Sequence, residues 1–285
     1  MRFPETLVMG ATGRIGRLLQ HQWRPTALGS HVLWQGRSTA GLGPAARRVI
    51  VQPLTQPGRL AQVATDRQIL CLAGGVPRRG TLADNGSLAQ AALRAATPGQ
   101  RVILCSSAAV YGAQTGVLKE GTALRPGTDY GLAKLEMEQR STALAADLGV
   151  SLCLLRIGNI AGVDACLGGW EPGFQLDQFG DGSTPVRSYI GVATLARVLA
   201  DLLALPHLPP VLNIAQPGQI AMDALLAAAG LDWRPRPAPD SAIAKVRLDT
   251  TLLQNMVRVL GVDAVQMVQE WRWLEPHMAT EQNQG

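Results

Sequence analysis

The chain has 285 residues, 47% of them hydrophobic and 16% charged, which excludes global disorder and leaves room for one large α/β domain or about two ordinary ones. The net charge of +5 rests on 23 arginines against 3 lysines, and the arginines are scattered. Only Arg47-Arg48 and Arg78-Arg79 are adjacent, too thin a footprint for nucleic acid. Taken in chain order, Leu7-Val8-Met9 reads as a strand, followed by a glycine turn and a helix over Arg14–Trp23. Further strands are expected at His31–Gln35, Val49–Val51 and Gln68–Leu72, then a helix over Asn85–Ala96 and a strand at Val102–Cys105. A long helix over Tyr130–Leu148 precedes a strand at Ser151–Ile157. This alternation predicts an α/β fold with a doubly wound parallel sheet, a Rossmann-type nucleotide-binding fold, covered on both faces.

After Ile157 the texture changes. Residues 158–185 hold seven glycines and little periodicity. A helix returns over Val192–Leu205, then a strand at Val211–Ile214. Beyond Pro217 come a helix, a connection rich in proline (Pro235, Pro237, Pro239) and helices to about Trp273. The expected partition is a dinucleotide-binding domain over 1–157, with 187–215 returning to it. A smaller substrate lobe takes 158–186 and 216–275, and a polar tail runs over 276–285. Cys71, Cys105, Cys153 and Cys166 lack metal-ligand spacing and read as reduced thiols. No metal site, signal peptide or membrane span is expected, and a cytoplasmic location is.

The first chemical signal is Gly10-Ala11-Thr12-Gly13-Arg14-Ile15-Gly16, between the first strand and the first helix. Glycines there permit a tight turn and close approach of the backbone to a pyrophosphate, and the helix N-terminus supplies N–H donors. The second strand ends Trp34-Gln35-Gly36-Arg37-Ser38, without the acid that would hold a ribose 2′-hydroxyl. Arg37 and Arg14 can both face a 2′-phosphate, which favours NADP. NAD stays open, because a loop arginine is common in so arginine-rich a chain.

The second signal is Tyr130 and Lys134, one helical turn apart in a chain with only three of each residue. An ammonium beside a phenol favours the phenolate, so the Tyr130 pKa is expected to fall from about 10 toward working pH and suit proton exchange with a carbonyl or alcohol. Upstream, Ser106-Ser107 closes a strand, where sites in open α/β sheets lie.

Together these residues resemble the extended short-chain dehydrogenases/reductases, the NAD-dependent epimerase/dehydratase family, in the manner of UDP-galactose 4-epimerase. Gly10, Gly13 and Gly16 match its cofactor glycines, with Thr12, Arg14 and Ile15 between them. Ser107 before Val110-Tyr111-Gly112 matches the catalytic Ser or Thr, and Tyr130 with Lys134 its Tyr-x-x-x-Lys. Leu72-Ala73 resembles the strand end beside the nicotinamide nucleotide, and Asn85 the start of the next helix. Arg156-Ile157-Gly158-Asn159 resembles a segment whose Asn holds substrate, and Arg187-Ser188-Tyr189-Ile190 one whose Arg contacts a nucleotide-sugar diphosphate.

The resemblance implies reversible hydride transfer at a hydroxyl or carbonyl carbon of a sugar-like substrate, free or nucleotide-linked. Tyr130 would be the acid/base, Lys134 would serve the nicotinamide ribose, and Ser107 would orient the substrate oxygen. Ala108 and Ala109 stand where 4,6-dehydratases carry an Asp–Glu pair, which argues against elimination. Pro53 replaces an adenine-binding Asp. Only 31 positions separate Arg156 from Arg187, which implies a reduced substrate lobe. Epimerase and reductase both remain open, with a catalytically silent NADP(H)-sensing protein as the alternative. The family implies a homodimer through the helices starting near Asn85 and Tyr130, where Ala89, Ala92 and Ala96 suit either close helix approach or sheet packing.

Overall fold

A computed structural model describes residues 3–43, 47–76 and 80–279, the last six by backbone alone. The Arg78-Arg79 pair and the tail beyond Ala279 lie outside the described residues. Seven strands form one parallel sheet: β1 (Thr6–Met9), β2 (Val32–Gly36), β3 (Arg48–Ile50), β4 (Gln68–Cys71), β5 (Arg101–Ser107), β6 (Ser151–Ile157) and β7 (Val211–Ile214). Their spatial order is β7-β6-β5-β4-β1-β2-β3. The order reverses at β1, so the crevice between the C-terminal ends of β1 and β4 is the natural ligand site of the fold.

Side-chain alternation divides the core into two layers. Val8, Leu70, Ile103 and Leu155 face one side with Leu18, Leu19 and Trp23 of α1 (Arg14–Trp23). Leu7, Met9, Ile69, Val102 and Leu104 face the other, under Leu60 of α2 (Pro57–Ala64), Ala89, Ala92 and Leu93 of α3 (Asp84–Ala95) and Met137 of α4 (Asp129–Leu148). Ala89 and Ala92 are thus buried inside the chain, so the sheet-packing alternative for that alanine face is the one realised. The first layer also takes Leu195, Leu199 and Leu202 of α5 (Val192–Ala204). The sequence expectations contained no α2; only Leu60 and Ala64 of its eight residues are buried, too few for a visible period.

The remaining segments form small sheets beyond the C-terminal ends of β6 and β7. Val186–Arg187 pairs with Ile220–Ala221 and with Lys245–Val246, and Asn159–Ile160 pairs with Tyr189–Ile190. Gln175–Gln178 pairs in parallel with Arg234–Pro237, so part of the expected proline-rich connection is a strand. Proline tolerates this position because a two-stranded ribbon leaves one edge of each strand unpaired. Arg234 and Ala238 supply the N–H donors, to Phe174 and Gln178. Three helices complete the chain: α6 (Met222–Ala228), α7 (Thr251–Met256) and α8 (Ala264–Ala279). The last runs past Pro276, where the polar tail was expected to begin. Glu270 of α8 caps α5, accepting from the N–H groups of Ala193 and Thr194 at 3.0 and 3.2 Å.

Candidate active site

The glycine turn closes on the crevice. Gly10 has φ +79°, in the left-handed region, and a Cβ there would stand 2.7 Å from the Ala73 nitrogen. A Cβ on Gly16 would run into the Ala11 carbonyl, so α1 packs against the turn only with glycine. Gly13 is the N-cap of α1, with no side-chain cap and no acid in the first turn. Its donors are therefore presented as an anion site presents them. Thr12 packs beside Gly41, Ile15 lies against the first core layer, and Leu72 and Ala73 follow β4 into the crevice. Buried Gln35 ties the strand ends together: its Oε1 accepts from Gly10 N–H at 3.0 Å and its Nε2 donates to Val51 O at 2.7 Å.

The two arginines expected to share a 2′-phosphate part company. Arg37 is exposed at the end of β2, and its carbonyl accepts from Gln52. Arg14 points elsewhere, donating from Nη1 to Val163 O at 2.6 Å. Between them and the crevice, Gly36 has little room for any side chain: a Cβ would press on Leu42 at 2.9 Å and on Ser38 O at 3.0 Å.

Ser107 ends β5 beside Ile157 of β6, and its Oγ accepts from Ala109 N–H at 3.2 Å. Helix α4 begins nearby because Thr128 Oγ1 accepts from Gly131 N–H at 3.1 Å. Gly131 lets the helix approach the 108–110 turn, since a Cβ would lie 2.7 Å from Ala109 O. This brings Tyr130 within hydrogen-bonding reach of Ser107. Lys134 follows one turn later, 6% exposed, donating to Cys105 O at 2.9 Å, with its Nζ 5.9 Å from the Tyr130 ring centre.

The expected fall in the Tyr130 pKa is not what the structure gives. Burial pushes the phenol above its ordinary value; the Ser107 hydrogen bond and the Arg14 charge pull it down, while Cys105 pushes it up. The Lys134 ammonium is held by Cys105, and burial depresses its own pKa. Beside it, Asn85 donates to Gly75 O and Leu82 O, but its buried Oδ1 has no protein partner and faces Gly74. An uncapped helix start, a close-approach glycine and an orphaned acceptor near an ammonium fit a nicotinamide dinucleotide. The glycine turn would hold its pyrophosphate and Lys134 its ribose.

A buried polar network behind Ser107 is not among the sequence expectations. Glu138 forms a two-pronged pair with Arg156, Nη2 to Oε2 at 2.8 Å and Nε to Oε1 at 3.1 Å, and accepts from Ser106 Oγ at 2.5 Å. Arg156 also donates to the Tyr111 hydroxyl at 3.1 Å, which donates to Asn213 Oδ1 at 2.7 Å. Tyr130, Lys134 and Glu138 stand at successive steps of four on α4, a spacing that makes this carboxylate findable from sequence. On the lobe side, Asn159 lies near Asp164 and helps lower its carboxyl pKa against the rise that burial causes. Arg187 donates to Val186 O at 2.9 Å and to Ile243 O at 2.7 Å, so it braces a loop. Among the described residues, no cluster of His, Cys, Asp or Glu can hold a metal, and no helix is long and apolar enough to cross a membrane.

The NAD-dependent epimerase/dehydratase family model matches residues 6–166. The chain belongs to that family. Similar solved structures include a UDP-glucuronic acid 4-epimerase from Bacillus cereus in complex with UDP-glucuronic acid and NAD. It is 18% identical over 95% of this chain and 99% of that one, with a TM-score of 0.75. A dTDP-glucose 4,6-dehydratase from Streptomyces venezuelae with NAD bound is 20% identical over 96% and 98%, with a TM-score of 0.74. A UDP-glucose 4-epimerase from Stenotrophomonas maltophila with bound NAD is 21% identical over 97% and 99%, with a TM-score of 0.72. At these identities the likeness is one of fold. No curated protein matches the chain significantly.

Proposed function

We propose that this member of the family is a nicotinamide-dependent epimerase or reductase acting on a hydroxyl or carbonyl carbon of a sugar-like, nucleotide-linked substrate. The supporting observation is the meeting of Tyr130, Ser107 and Lys134 beside the Gly10–Ala73 crevice. When bound, the nicotinamide supplies or accepts the hydride. Tyr130 moves the matching proton at its hydroxyl, Ser107 orients the substrate oxygen, and Lys134 holds the ribose. Ala108 and Ala109 offer no acid/base pair, so we place the enzyme outside the 4,6-dehydratases. Arg187 is engaged by backbone carbonyls, which counts against it as the diphosphate contact and leaves Asn159 as the substrate candidate.

The test is Tyr130→Phe, assayed with nucleotide sugars and ketones against NADPH and NADH. Loss of a general acid/base should lower turnover by about 10²–10⁴-fold with nucleotide affinity nearly unchanged. Near-full turnover would overturn the assignment.

For the nucleotide we propose NADP, read by exposed Arg37, with Gly36 leaving little room for a ribose-binding acid. Charge-assisted phosphate contacts are worth about 1.5–3 kcal/mol. Arg37→Ala should therefore weaken NADPH binding about 10- to 100-fold and NADH binding little. Equal losses for both would return NAD to first place. We also propose a homodimer across α3 and α4, where Leu132 is 53% exposed; a monomer in light scattering at micromolar concentration would exclude it.

A further inference from the structure

The loop after Ile160 meets the glycine turn through Arg14. Arg14 opens α1, and its Nη1 donates at 2.6 Å to Val163 O, a residue 149 positions away. That carbonyl is fixed by groups that owe nothing to α1. The N–H groups of Val163 and Asp164 both donate to Ile160 O at 3.0 Å. The Asp164 carboxylate accepts from the Tyr189 hydroxyl at 2.7 Å and from Leu167 N–H at 3.1 Å. Gly162, at φ +84°, sits so close to the Trp271 ring that a Cβ would run into it.

A guanidinium has several donors in a rigid fork, so one well-placed carbonyl fixes where its charge sits. We propose that Arg14 is a positioning residue that straps the loop at 161–168 to the glycine turn, rather than reading a cofactor phosphate.

Hydrogen exchange on the full chain tests the strap. Arg14→Met keeps the stem and removes the donor, and should speed exchange of the 163–168 amides about 10- to 100-fold, as loss of a charged hydrogen bond would. The β1 amides should not change, and the ratio of NADPH to NADH affinity should not move. Arg14→Lys, the variant to use should Arg14→Met misfold, keeps a charge but loses the fork and should fall between. Unchanged exchange together with a selective loss of NADPH affinity would overturn the proposal and make Arg14 a phosphate reader.

Failure of the parent chain to bind either nucleotide would count against the proposed function and leave the exchange result standing.

Discussion

Three tyrosines carry three different tasks, and only their surroundings separate them. Tyr130 faces Ser107 at the cleft, whereas Tyr189 is buried in the short strand pair with Asn159–Ile160, its hydroxyl on Asp164. From its place before Gly112, Tyr111 is expected to be replaceable by phenylalanine at little cost to turnover, and the structure gives it a task in the fold instead. The side chain is fully buried, and its hydroxyl both donates to Asn213 and accepts from Arg156. Tyr111→Phe would leave an acceptor and a charged donor short of a partner, and should destabilise the fold by about 1–3 kcal/mol, measured by urea denaturation. A change below a few tenths would mean that water or a rearranged Asn213 takes the place of the hydroxyl.

The same contrast holds for whole elements. Strands β6 and β7 and helix α1 were legible to the residue because an apolar run or a 3.6-residue period ends there at a glycine, proline or charge. The lobe was not, since its strands are two to four residues long and gain their definition from partners far along the chain. The glycine turn and the Tyr130–Lys134 spacing were legible because they are local. The commitments of Arg14 and Arg156 were not, because nothing beside Arg14 in the sequence points to Val163 and nothing beside Arg156 points to Glu138 as its partner.

Helix α4 shows what such a distant commitment does. The Glu138–Arg156 pair, with side chains 4% and 6% exposed, clamps the helix that carries Tyr130 and Lys134 to β6, while Ser106 joins it to β5. Removing one charge leaves the other buried and unpaired, so Arg156→Met should cost about 3–5 kcal/mol. Replacing both, as Glu138→Leu with Arg156→Met, should recover most of that loss in a double-mutant cycle. Additive losses would show that Tyr111 and Ser106, rather than the ion pair, hold the helix.

Across the molecule, four free thiols lie where the sheet and the lobe are densest: Cys71 on β4, Cys105 on β5, Cys153 on β6 and Cys166 in the lobe. Burial pushes Cys71 up to about 11 and the other three to about 12, from an ordinary 9.0. A thiol whose folded pKa is raised stabilises the fold fully below its unfolded value, and that contribution is lost as pH climbs toward the folded one. The window here runs from about pH 9 to about 12, and the raised pKa values of Tyr111, Tyr130 and Tyr189 act in the same direction from about pH 10 upward. By pH 10 each thiol should have given up about 1 kcal/mol, a large share in sum of the 5–15 kcal/mol that holds a typical domain. Denaturant midpoints should therefore be level from pH 7 to 8 and fall steeply above 9. Cys153→Ala should make that fall shallower, since it removes one ionisation available only to the unfolded chain. A midpoint that stays level to pH 10, or native thiols that react with a disulfide reagent at pH 8 as fast as free cysteine, would show that the sheet admits solvent to these strands.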